Sequence, residues 1–138
     1  MNADILNDLA ARVEALAGAN YAIEVEIFQA FHPEYAGYVQ GRGSLVHPCD
    51  GSDQRVLSDV RPGNYTASID SAMTLLPPDA FWRVGHDADD PAWMMAQVSY
   101  DRGEGRLGFT TGTAETAAMA MTAAALRAHA AIAKENER

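Results

Sequence analysis

Two short stretches hold the side chains best suited to chemistry. His47-Pro48-Cys49-Asp50 sets a thiol close to an imidazole. A cysteine nucleophile needs such a base, together with a group that orients the base. Adjacency in sequence does not create that geometry and Pro48 restricts it, so an inert loop cysteine is the expectation. His86-Asp87-Ala88-Asp89-Asp90 could offer nitrogen and oxygen ligands to a divalent cation. A calcium loop needs a longer pattern with a central Gly and a distal Glu, and acids in a tight turn are ordinarily solvated. His32 and His129 stand alone, with His129 expected at a boundary or on the surface. No phosphate loop, dinucleotide-binding glycine pattern or nucleophile elbow occurs. The reading is of no enzyme: no catalytic residue, no metal and no cofactor.

Aromatic and arginine side chains are the other candidates. Trp82, Trp93, Tyr100 and Phe109 fall in expected strands. They can seal a sheet against helices, or stand on an exposed face as a platform. If all the helices cover one face of the sheet, aromatics on the other face imply binding or self-association. Trp82, Arg83, Trp93, Tyr100 and Arg106 are therefore the expected ligand or partner contacts, the tryptophans by stacking and the arginines by reaching a phosphate.

Charge narrows the partners. The 138 residues carry 19 Asp+Glu against 10 Lys+Arg, a net charge of −9. Nucleic-acid binding relies on clustered cations, and here one lysine, Lys134, accompanies scattered arginines. No apolar run approaches the ~20 residues of a membrane span. The start, Met1-Asn2-Ala3-Asp4, does not read as a signal peptide. Cys49 is the only cysteine, so an internal disulfide is excluded. A cytoplasmic protein is expected.

The elements that must position these residues follow from periodicity. Ile5, Leu6, Leu9, Val13 and Leu16 form one helical face, with Asn2 as cap, Gly18 just past the end, and Asn7, Arg12 and Glu14 on the opposite face. The stretch 20–31 alternates like a strand at 23–27. Ile23, Ile27, Ala30 and Phe31 also fit a helical stripe behind the cap Asn20, and helix is the preferred reading. Residues 32–63 are irregular, with a short hairpin expected between Tyr38-Val39 and Leu45-Val46. Thr66 is the expected cap of a helix bearing Ile69, Ala72, Met73 and Leu76, which Pro77-Pro78 stops. Three strands follow, 81–84, 93–100 and 106–111, joined by turns at 87–91 and 101–105 into an antiparallel meander. The last helix starts after Thr116, and ten of its residues 117–133 are alanine. The class is α+β in a single domain, 1–138: an N-terminal helical pair over 1–31, an irregular middle over 32–63, and α-β-β-β-α over 64–138.

Two segments carry a resemblance. They are Asn64-Tyr65-Thr66-Ala67-Ser68-Ile69-Asp70-Ser71-Ala72-Met73-Thr74-Leu75-Leu76-Pro77 and Thr116-Ala117-Ala118-Met119-Ala120-Met121-Thr122-Ala123-Ala124-Ala125-Leu126-Arg127-Ala128. Both resemble small phage and prophage proteins related to the phage ABA-sandwich domain group, as does Leu9-Ala10-Ala11-Arg12-Val13-Glu14. The likeness covers roughly 64–130 and 4–31, and is poor over 32–63. This chain has Ala117 where those proteins often have Pro, Met119 and Met121 where Leu is usual, and Thr122 where Cys is common. The resemblance implies a phage origin and a helix–sheet–helix sandwich, and brings no catalytic residues. The order helix–three strands–helix also matches double-stranded RNA-binding domains, but the start of the last helix, 113–118, lacks the lysines that would grip phosphates. The expected function is a small phage-type accessory protein that binds, without catalysis, a host protein and inhibits a defence factor. A nucleotide-like ligand sequestered by the protein, or a role in virion assembly, are the alternatives, and a homodimer is compatible with each.

Overall fold

The computed structural model describes residues 1–40, 45–46 and 61–137. The His47–Cys49 pair lies outside them, as do the residues between the two strands of the expected hairpin. Among the described residues four α-helices, α1 (Ala3–Glu14), α2 (Tyr21–Phe31), α3 (Ile69–Met73) and α4 (Ala117–Asn136), and a 3-10 turn (Pro33–Tyr35) accompany five strands. The strands are β1 (Val39–Gln40), β2 (Leu45–Val46), β3 (Phe81–His86), β4 (Met94–Gly103) and β5 (Arg106–Ala114). β1 and β2 pair antiparallel, Val39 with Val46, as the hairpin reading requires. The class is α+β as expected, with β3-β4-β5 an antiparallel meander.

Side-chain caps start the helices where the sequence places them. Asn2 accepts from the backbone N–H of Asp4 and Ile5, Asn20 from Ile23, and Thr116 from Met119. Thr66 differs: Ser68 caps α3 by accepting from Ser71. Thr66 instead joins a buried polar junction, where its N–H (2.9 Å) and Oγ1 (2.7 Å) both donate to Glu24 Oε2. Its Oγ1 also accepts from the N–H of Asn20 at 2.9 Å. One side chain thus ties the start of α2 to the segment before α3, 46 positions apart in sequence. α3 is also shorter than expected and ends before Pro77-Pro78, with Leu75 buried beyond it.

Burial corrects α1 as well. Leu6, Leu9, Ala10 and Val13 are buried, whereas Ile5 is exposed. Gly18 lies beyond the helix, which Ala15 caps in the right-handed region. Glu14, expected on the solvent face, turns inward to Arg127 of α4 at 2.7 Å.

α4 is the centre of the molecule. Residues 118–126 are all buried, because the sheet covers one side of the helix while α1 and α3 cover the other. Alanine makes this double contact short enough. A Cβ on Gly112 of β5 would stand 2.2 Å from the Ala120 carbonyl oxygen. Polar groups fix the helix on both sides: Thr110 Oγ1 donates to the Ala124 carbonyl at 2.7 Å, and Thr122 Oγ1 to the Tyr65 carbonyl at 2.8 Å. Helix–sheet–helix describes the order along the chain. In space α3 packs on α4 rather than on the sheet, so the layers run sheet, α4, then α1 with α3.

Two groups on this scaffold make it sensitive to acid. Burial pushes the Glu14 carboxyl up, but the bonds from Arg127 and from the Thr113 N–H outweigh it, and the group sits below the usual carboxylate range. Burial pushes the His129 imidazole down, with its bond to the Leu75 carbonyl opposing. Both groups bind protons more readily in the unfolded chain. Stability is therefore complete above about pH 6.5 and falls as pH drops below the ordinary histidine value. It falls again below about pH 4.5 as Glu14 begins to protonate. Urea midpoints measured from pH 8 to pH 3 should show both decreases, and His129→Gln should remove the upper one.

Candidate functional site

The register of the meander sorts its side chains onto two faces. Trp82 and Val84 of β3 pair with Val98 and Ala96 of β4, which pair with Thr110 and Gly112 of β5. This inner face lies under α4. Phe81 and Arg83 pair with Ser99 and Gln97, which pair with Phe109 and Thr111. No described element covers this outer face. Phe81 is 72% exposed and Phe109 59%, one on each side of Ser99, with Leu107 53% exposed further along β5.

Within this face the side chains make a shallow depression of about 340 Å³ lined by Phe81, Trp82, Arg83, Gln97, Ser99 and Phe109. Arg83 Nε donates to Gln97 Oε1 at 2.8 Å, which ties the exposed guanidinium to the neighbouring strand. A second depression of about 210 Å³ continues past the same pair toward Met95 and His86. The arrangement is two aromatic walls, one cation and a strip of uncharged polar side chains, and it suits contact with an apolar or aromatic surface.

The expected contact residues divide. Arg83 belongs to the open face. Trp82 borders it but projects to the inner side at the sheet edge, where it stays 43% exposed. Tyr100 is buried on the inner face, its ring lying across Gly108. Trp93 precedes β4, in the turn, half-buried. Arg106 is exposed at the far hairpin, paired with Gly103. Phe81 and Leu107 were not among the expected contacts. Their signal was their parity, since both share a face with Gln97 and Ser99, and that face reads as solvent-exposed.

The other chemical candidate resolves into turn structure. Asp87 Oδ1 accepts from the Asp89 N–H, Asp90 Oδ1 from the Ala92 N–H, and His86 Nδ1 lies 3.1 Å from the Pro91 carbonyl. These side chains bind their own loop rather than converging on a common point. Among the described residues no three His, Cys, Asp or Glu side chains cluster as metal ligands, and no helix is long and apolar enough to cross a membrane. A wider groove of about 590 Å³ runs between α1 and α2, where Asp8, Arg12, Glu26 and Gln29 are already paired. Arg12 donates to Glu26 at 2.9 Å, and the Gln29 amide donates to the carbonyls of Tyr35 and Tyr38.

The sequence matches no protein-family model and no curated protein, and the fold matches no solved structure.

Proposed function

We propose that this protein is a non-enzymatic binding protein that docks a partner protein on the open face of its sheet. Following the resemblance to phage and prophage proteins, the partner is a host factor whose activity is blocked by that contact. The observation that supports the reading is the pair of exposed phenylalanines, Phe81 and Phe109, on a face without a described cover. Isolated apolar residues on a surface are ordinary, but aromatics grouped around a fixed guanidinium are the composition of interface centres.

The test compares the wild type with Phe81→Asp/Phe109→Asp. Both side chains point to solvent, so the double variant should keep its melting temperature. A host protein retained by the wild type should be lost by the variant. With that protein purified, the affinity should fall by ~100-fold or more, since truncation at an interface centre costs about 2–4 kcal/mol. Equal retention by both would reject the face as the docking site. The depression beside Arg83 also supports a second reading, a flat ligand with a phosphate. A nucleotide panel at saturating concentration would then raise the melting temperature of the wild type.

A further inference from the structure

The two edges of the sheet differ. On β5 the Thr113 N–H donates to Glu14 Oε2 at 2.8 Å, and the Thr111 carbonyl accepts from Arg127 Nη1 at 2.9 Å. Glu14 and Arg127 are themselves paired, so this clasp supplies one acceptor and one donor where a neighbouring strand would supply them.

The same bonds fix the phase of the whole sheet. Because the Thr113 N–H leaves the sheet, Thr113 and Thr111 face the outer edge of β5, and their partners Met95 and Gln97 face β3. Gly85, Arg83 and Phe81 then bond to β4, and the Asp87 N–H to the Trp93 carbonyl continues that alternation. The backbone N–H and C=O groups of Trp82, Val84 and His86 point the other way. Among the described residues no strand lies there. β3 is an edge strand six residues long with no proline, and among the described residues no side chain is bonded to its outward backbone groups.

We infer that β3 pairs antiparallel with β3 of a second copy, joining two meanders into one six-stranded sheet about a two-fold axis at Val84. Register selects the axis. Centring on Arg83 would set two guanidiniums directly opposite each other, which destabilises a cross-strand pair. Centring on Gly85 would carry Phe81 and Trp82 past the end of the partner strand. Centring on Val84 pairs Trp82–His86 within the strand and sets only Phe81 against a residue beyond its end. Trp82 meets the partner's His86, and Phe81 meets the partner's Asp87. Arg83 lies across from the partner's Gly85, with the partner's Asp87 and the partner's Arg83 one diagonal step away on either side, so the two guanidiniums no longer stand directly opposite. A Cβ at Gly85 has open space around it, so the position has room for the arginine. The net charge of −9 opposes the approach only weakly, since charges more than ~8 Å apart are largely screened at physiological salt. The inference rests on backbone groups at the edge, not on the open face, and stands or fails apart from the proposed function.

Sedimentation over a concentration series from about 1 µM to about 1 mM tests it. The wild type should pass from monomer to dimer. Val84→Pro removes an outward-pointing N–H, a change that edge strands tolerate, and should weaken self-association at least about tenfold. A second variant checks register: Val84→Cys in a Cys49→Ser background should cross-link to itself under mild oxidation, because opposed residues of a bonded pair stand ~5.5 Å apart at Cα. A wild type that stays monomeric throughout would overturn the inference. So would a dimer that Val84→Pro leaves unweakened, or one in which the Val84→Cys variant fails to cross-link.

Discussion

Gly112→Val is expected to lose about 3 kcal/mol or more, a large fraction of the 5–15 kcal/mol that holds an ordinary domain together. The new Cβ would overlap the Ala120 carbonyl oxygen at 2.2 Å and stand 2.8 Å from the Ala124 amide nitrogen. Both are backbone atoms of α4, so no rotamer change relieves the clash. The helix has nowhere to retreat, because α1 and α3 press on its other side. Shifting it outward would also break the Thr110 bond to the Ala124 carbonyl. Gly85→Ala serves as the control, since the same addition there meets open space. Urea denaturation should show the Gly112 variant mostly unfolded at concentrations where the control is folded. A midpoint within a few tenths molar of the wild type would refute the close-packed reading of this contact.

Thr66→Val should cost about 2–4 kcal/mol, although it changes volume very little. It removes the hydroxyl that joins Asn20 to Glu24, so the Asn20 N–H loses its acceptor and the buried carboxylate loses one of its two donors from Thr66. The buried Glu24 carboxylate left short of a donor is penalised for desolvation, and that outweighs the apolar gain of the extra methyl. Thr66→Ser keeps the hydroxyl and should recover most of the loss. A valine variant as stable as the serine variant would show that the junction contributes little.

The strands were the most legible part of the sequence. Met94, Ala96, Val98 and Tyr100 alternate with Met95, Gln97 and Ser99, and the structure puts the first set under α4 and the second on the open face. Local signals of this kind need no knowledge of neighbours. The caps Asn2, Asn20 and Thr116 succeeded for the same reason. The errors arise where a distant partner decides. Thr66 had the type and spacing of a cap, yet Glu24, 42 positions away, claimed it. Ile5 fitted the apolar stripe of α1 and Glu14 did not, but α4 stands where it buries Glu14 in part and leaves Ile5 out. The open face was legible only as a conditional. The alternation separates two faces without saying which side the helices take, and an alanine-rich helix covered on both sides has no polar stripe to reveal its orientation. Tryptophan and tyrosine carry no information on which face of the sheet they occupy. Parity along each strand keeps Arg83 and adds Phe81 and Phe109 in place of the tryptophans and Tyr100.

The Glu14–Arg127 clasp on β5 also sets how far assembly can run. A sheet that can accept a neighbour along one border only forms a closed pair, since each copy uses its single available side. Glu14→Ala would expose the second side, and the same chain could then add copies end to end into a growing ribbon. A modest ion pair would thus separate a finite complex from a fibre.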